Sequence, residues 1–156
     1  GSGAIAIALA KERPHWQIDA TDQSIEALRM TESNIQRHRC ENVRCFQGNW
    51  CDALPSSQYH LIVSNPPYIK STDPHLLDLQ YEPQSALVSS QEGFSDLYQI
   101  IHQARSYLLP KGRCIVEHGV GQGQHLMQLM KKEQYADVIG CLDFSGNDRF
   151  VVGEVE

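Results

Sequence analysis

The chain has 156 residues, 41% of them hydrophobic and 21% charged, a length that corresponds to one domain. A domain of this size removes roughly 70% of its unfolded surface from water, so it folds without a disulfide or metal staple. No apolar run reaches the ~18 to 20 residues of a membrane helix and no basic flank of a signal peptide precedes the first helix, so neither secretion nor a membrane partner is supported. Thirteen Lys and Arg against nineteen Asp and Glu leave a net charge of −6, which disfavours nucleic acid as a partner because a phosphate-tracking surface needs a positive field. The cysteines Cys40, Cys45, Cys51, Cys114 and Cys141 form no CxxC pair and no zinc-finger spacing. Their odd number fits a reducing, cytoplasmic setting; the histidines are scattered, and no metal site is expected.

Residues 4–12 (AIAIALAKE) read as a small-residue helix stopped by Pro14. Residues 16–21 read as a strand leading to Asp22, after which Ile25, Leu28 and Ile35 recur at helical spacing through about Arg39. Strands follow at 43–47, ahead of Gly48, Asn49 and Trp50, and at 59–64, ahead of Asn65, Pro66, Pro67 and Tyr68. The stretch from Ile69 to Glu92 reads as a long ordered loop with one helical turn. Residues 94–109 place Leu97, Ile100, Ile101, Ala104, Leu108 and Leu109 on one face, with Pro110, Lys111 and Gly112 as the stop. A strand at 113–118, a helix at about 124–133 and strands at 136–142 and 149–155 complete the order, the last two joined by a turn with Gly146 and Asn147.

Strands alternating with helices imply a parallel sheet covered on both faces, and the short last connection permits only an antiparallel pair. The expected fold is α/β: one domain over 1–156 with a doubly wound, mostly parallel, Rossmann-like sheet and a reversed edge strand. Gly1, Ser2 and Gly3 lead directly into a helix, where backbone N–H groups can face a polar or anionic ligand. An acid about 20 residues beyond such a turn, at the end of the next strand, can accept both hydroxyls of a ribose, and Asp22 stands there. Two plainer readings compete: a Gly-Ser remnant of cloning, and Asp22 as a helix cap. A glycine turn of this kind ordinarily follows a central strand, so the sequence is expected to be a piece of a longer protein, without that strand or any upstream domain.

Asn65-Pro66-Pro67-Tyr68 stands at the carboxyl end of an apolar strand, where open α/β sheets bind ligands. The Pro67 ring keeps residue 66 extended and the Pro66 ring fixes its own φ, so the Pro66 carbonyl points one way. With the Asn65 carboxamide it makes two acceptors for the two N–H bonds of a planar amino group, and Tyr68 can cover the flat face. Acceptors that bind more strongly as positive charge develops on nitrogen accelerate its alkylation. The plainer reading is a rigid Pro-Pro turn that ends a strand.

This motif resembles that of the amino-group methyltransferases that use S-adenosylmethionine, including adenine-N6 and glutamine-N5 enzymes, and its surroundings resemble the release-factor glutamine methyltransferases, the HemK/PrmC family of class I methyltransferases. GSGAIAIALA at 1–10, TD at 21–22, NW at 49–50, NPPYI at 65–69, YEPQSAL at 81–87, EGFSDLYQII at 92–101 and EHGVGQG at 117–123 carry the likeness. The resemblance implies that Gly1, Ser2 and Gly3 line the cofactor, that Asp22 binds its ribose, and that Asn49 and Trp50 lie by the adenine. It implies that Asn65 touches both cofactor and substrate, that Asn65, Pro66 and Tyr68 are catalytic, and that Pro67 completes the amide pocket. Asn49 replaces the family's Asp, and the first glycine of the motif would lie upstream.

Four further features have modest readings. Gly119, Gly121 and Gly123 imitate a phosphate loop but suit a strand-to-helix turn. Glu82 and Pro83 shape the substrate loop or a surface turn. Trp16 and Phe46 are expected in the core, and Glu117 beside a helix N-terminus.

The leading expectation is methylation of the glutamine amide in the GGQ motif of a peptide chain release factor. Alternatives are adenine-N6 methylation of nucleic acid and glutamine methylation of a ribosomal protein. A nicotinamide-dependent oxidoreductase would leave the NPPY segment unexplained, and a noncatalytic adenosine-binding or protein-binding module remains a third class.

Overall fold

The computed structural model describes residues 1–55, 58–79, 81 and 83–156. Glu82 therefore lies outside the described residues, and Pro83 is exposed. The chain divides into two compact units, Gly1–Pro55 and Ser56–Glu156.

In the first unit, helix α1 (Ala4–Glu12) starts at Gly3 and ends before Pro14, with the Arg13 N–H still bonded to the Leu9 carbonyl at 2.8 Å. Strand β1 (Ile18–Asp22) pairs in parallel with β2 (Val43–Gln47), Ile18 opposite Val43 and Asp22 opposite Gln47. Parallel neighbours need a crossover, and helix α2 (Ile25–His38) provides it. The Ser24 hydroxyl caps that helix by accepting the Ala27 N–H at 3.2 Å. Ala6, Ile7, Ala10, Cys40 and Val43 form the buried cluster, with Ile18, Ala20 and Ile35 packed on it. Trp16 is not in this core. It precedes β1 in the segment released by Pro14, is 44% exposed, and lies under the Arg13 guanidinium at 5.9 Å. Phe46 is half-buried, with the Arg44 guanidinium 5.6 Å from its ring.

The second unit holds strands β3 (Tyr59–Ser64), β4 (Leu108–Glu117), β5 (Ala136–Leu142) and β6 (Asp148–Glu154), in the spatial order β3-β4-β6-β5. β3 and β4 are parallel, and β6 is antiparallel to both β4 and β5. The reversed strand thus lies one position in from the edge, not at it. Burial explains the insertion: Val151 and Val155 of the final segment are buried and a Cβ on Gly153 would come within 2.9 Å of the Tyr135 Cβ, whereas β5 leaves Ile139 and Leu142 exposed as an edge strand does.

β4 begins five residues before the predicted strand. Pro110, Lys111 and Gly112 follow the end of helix α3 (Ser95–Tyr107), but within β4 they form an irregularity opposite Tyr59–Leu61, with Lys111 at φ 68°. The Lys111 N–H then bonds the Val155 carbonyl at 2.7 Å. Between Ile69 and Glu92 the chain makes short turns at Pro74–Leu77 and Gln84–Leu87, and Ile69 bridges Val88.

The core of this unit places Leu97, Ile100, Ile101 and Ala104 of α3 against Cys114 and Val116 of β4, Val151 of β6, and Leu126 and Met130 of helix α4 (Gly123–Lys132), all essentially solvent-free. All five cysteines are unbridged, and Cys40, Cys51 and Cys114 are buried. Among the described residues no helix is long and apolar enough to cross a membrane.

Leu126→Ala should cost about 2–5 kcal/mol in urea denaturation through the cavity it leaves. Phe144→Ser, in the exposed turn between β5 and β6, should stay within about 0.5 kcal/mol of the parent.

Candidate functional site

The glycine segment of the first unit is shaped by α2. Gly3 has φ 76°, and a Cβ there would lie 2.5 Å from Thr31 Cγ2, so a side chain would be strained and would have to push the Thr31 side chain aside. Thr31 Oγ1 lies 3.0 Å from the Gly1 carbonyl and 3.1 Å from that of Ala27, while Asn34 Nδ2 donates to the Ser2 carbonyl at 3.0 Å. The start of α1 carries no acidic residue and no side-chain cap. Its free N–H groups can therefore serve a polar ligand group.

Asp22 ends β1 with its side chain 23% exposed. Its Oδ1 accepts the Ser24 N–H at 2.8 Å, and its Oδ2 lies against the Gly1 nitrogen. The carboxylate thus shapes the entry to α2, whose cap is Ser24 and not Asp22, and it stands against the glycine segment. The Gly48 N–H bonds the Asp22 carbonyl at 3.0 Å and Thr21 Oγ1 donates to the Trp50 carbonyl at 3.0 Å, tying the loop after β2 to the same strand end. Trp50 is half-buried and left-handed at φ 46°, a conformation that costs a non-glycine residue about 1–3 kcal/mol and concentrates at functional sites. Asn49 is exposed. Next to Trp50, burial and then the charge of Asp52 push the Cys51 thiol up to about 11. The unit therefore brings Gly1, Ser2, Gly3, Asp22 and Trp50 onto one strand-end framework: a glycine turn, a carboxylate and an indole.

In the second unit, β3 ends at Ser64, which is paired with Val116 of β4. The parallel register then sets Asn65 level with Glu117, and the two strand ends share an edge. Asn65 is exposed, Pro66 buried, and Pro67 and Tyr68 half-buried. The Tyr68 hydroxyl donates to Glu117 Oε1 at 3.2 Å. Burial foremost, then the charge and hydrogen bond of Glu117, raise the Tyr68 phenol above its ordinary value, with Arg149 opposing. Glu117 therefore pairs with Tyr68 and not with a helix start, and neither it nor Arg149 was singled out for the site from sequence. The readable signal was the parallel alignment of β3 with β4. Arg149 Nη1 also donates to the His118 carbonyl and its Nε to Asp143, both at 3.3 Å.

Gly119, Gly121 and Gly123 do form a strand-to-helix turn, with Gly121 at φ 85°. A Cβ on Gly123 would lie 2.1 Å from Asp148 Oδ2. A carboxylate already occupies the start of α4, which opposes a phosphate there.

A raised phenol pKa stabilises the fold below the ordinary value near 10 and withdraws that contribution as pH rises through the folded value. NMR titration of ¹³Cζ-labelled tyrosine should find Tyr68 ionising above pH ~10. Glu117→Gln should lower that midpoint; an unchanged midpoint would exclude the pairing.

The family model described as methyltransferase small domain matches residues 1–79. The chain is 45% identical over 152 residues to the release factor glutamine methyltransferase of Coxiella burnetii, covering 97% of this chain and 55% of that protein. It is 41% identical over 155 residues to the enzyme of that name from Escherichia coli K12, covering 98% and 56%. The chain thus spans about half the length of these curated relatives. Among solved structures, a methyltransferase from Pyrococcus furiosus superposes with a TM-score of 0.72 at 16% identity, over 97% of this chain and 68% of that one. A methyltransferase from Streptococcus mutans, described as putative and in complex with SAH, superposes with a TM-score of 0.64 at 14% identity, over 99% and 83%. These likenesses establish a class I methyltransferase fold, and with the matched half of the sequence they lead to one conclusion: the chain belongs to the methyltransferase small domain family.

Proposed function

We propose that this chain is the catalytic part of a methyltransferase that uses S-adenosylmethionine to methylate a glutamine side-chain amide, its substrate the GGQ loop of a peptide chain release factor. The observation that carries the reading is the Asn65–Tyr68 segment at a parallel strand end, its tyrosine held by Glu117. The names of the relatives at 41–45% identity support the substrate. A cytoplasmic location belongs to the same reading.

The donor set of the first unit fits such a cofactor. Gly3 lacks the Cβ that Thr31 would exclude, Asp22 offers acceptors for two ribose hydroxyls, and Asn49 and Trp50 offer an amide and an indole for an adenine. When bound, the cofactor supplies an activated methyl group on a sulfonium.

The residues of the second unit act on the nitrogen. An amide nitrogen is a poor nucleophile because its lone pair is delocalised. The Asn65 carboxamide oxygen and the Pro66 carbonyl accept its two N–H bonds, and both bonds strengthen as the nitrogen becomes positive. Pro66 and Pro67 hold those acceptors without needing to move. Tyr68, kept as the neutral phenol by burial and Glu117, presents its ring to the flat amide. The alkylated nitrogen is acidic enough to lose a proton to Asn65, the Pro66 carbonyl or water, so no dedicated strong base is required.

Mass spectrometry of a release factor incubated with the enzyme and S-adenosylmethionine should show one methyl on the GGQ glutamine. Asn65→Ala should slow this by about 10²–10³-fold, the cost of losing one transition-state hydrogen bond. An unmodified glutamine with the parent enzyme refutes the assignment. Asp22→Ala removes charge-assisted bonds worth about 1.5–3 kcal/mol each, so the calorimetric Kd for S-adenosylmethionine should rise at least about tenfold.

A further inference from the structure

We propose that Gln122 is the positioning residue of the Asn65–Tyr68 segment, its carboxamide pinning the main chain at Tyr68 to two other loops. Its catalytic consequence rests on the methyl-transfer reading above. Gln122 is 8% exposed, and every arm of its carboxamide is engaged. Nε2 donates to the Tyr68 carbonyl at 3.3 Å and to the Gly93 carbonyl at 3.4 Å, while Oε1 accepts the Gly119 N–H at 2.8 Å. One side chain thereby joins the end of the substrate segment, the turn before α3 and the turn before α4.

Two glycines make the cradle. A Cβ on Gly93, which has φ 87°, would lie 2.3 Å from the Tyr68 carbonyl oxygen and 3.0 Å from Gln122 Nε2. A Cβ on Gly119 would lie 3.2 Å from Gln122 Oε1 and 3.2 Å from Tyr68 Cδ2. Only glutamine meets all three requirements. Glutamate would turn a carboxylate toward two carbonyl oxygens, asparagine is one methylene too short, and leucine would leave buried polar groups unpaired.

The pin acts where the prolines stop acting. Their rings fix φ at residues 66 and 67, so Tyr68 is the first freely rotating residue of the segment. Glu117 holds its hydroxyl, Gln122 holds its carbonyl, and the next residue is bridged by Ile69 N–H to Leu87 O at 2.9 Å and Ser89 N–H to Ile69 O at 3.0 Å. With both ends of Tyr68 fixed, its ring keeps its place beside the acceptors that the two prolines hold. Gln122 bonds the main chain at Tyr68 and acts through it.

Gln122→Leu and Gln122→Glu in the full chain test this through two readouts. Amide exchange followed by NMR should quicken at least about tenfold at Ile69 and Ser89 while Ile100 and Ile101 in α3 stay protected. Methyl transfer should lose about 10²-fold in kcat, as misplacement of reacting groups does, with the Kd for S-adenosylmethionine unchanged. Should the leucine variant fail to fold, the glutamate variant, which keeps the volume and the Gly119 acceptor, serves alone. Parent-like exchange at Ile69 and Ser89, or parent-like kcat, overturns the proposal. Quickened exchange in a chain whose parent form transfers no methyl leaves the pin standing and removes only the methyl-transfer reading.

Discussion

Two consecutive prolines have no N–H to donate, so the backbone after β3 cannot be fixed by the strand pairing that fixes β3 itself. Everything assigned to the Asn65–Tyr68 segment depends on how that deficit is met. The rings supply stiffness at residues 66 and 67, and the surroundings supply anchorage from residue 68 onward: Glu117 from the end of β4, Gln122 from the start of α4, and the Ile69–Val88 bridge from the following loop. The anchors come from elements far apart in sequence, which makes the geometry of four residues a property of the whole second unit.

The first unit solves a different problem, holding a loop and a glycine turn at the end of a parallel pair. Short polar side chains achieve it. Thr21, Ser24, Thr31 and Asn34 each bond backbone groups that strand or helix pairing leaves open. The left-handed Trp50 is then tolerated because Thr21 and the Gly48–Asp22 bond constrain the loop around it.

What was legible in the sequence was local. Pro14 marks where α1 stops, and periodicity marked α3 through Leu97, Ile100, Ile101 and Ala104; the helix cap read at Asp22 falls to Ser24. The NPPY segment was legible too, since its stiffness is built into the residues. What was not legible depended on pairing between distant segments. The strand β6 reads as an edge partner from its short turn, yet the burial of its Val151, Gly153 and Val155 face goes with a place between β4 and β5. Pro110-Lys111-Gly112 reads as a terminator, but its neighbour Val155 turns it into part of β4. Trp16 reads as core by its size and is 44% exposed, its ring under the Arg13 guanidinium. Glu117 and Gln122 stand in the EHGVGQG run that carried the family likeness, but the run named no partner for either; only the folded chain shows Glu117 at Tyr68 Oη and Gln122 at the Tyr68 carbonyl.

Burial of Cys51 has a consequence for reagents. A thiol held near 11 is deprotonated in roughly one molecule in ten thousand at pH 7. The thiol beside Trp50 is therefore a poor nucleophile at neutral pH, and alkylating reagents should find Cys51 far less reactive than an exposed cysteine.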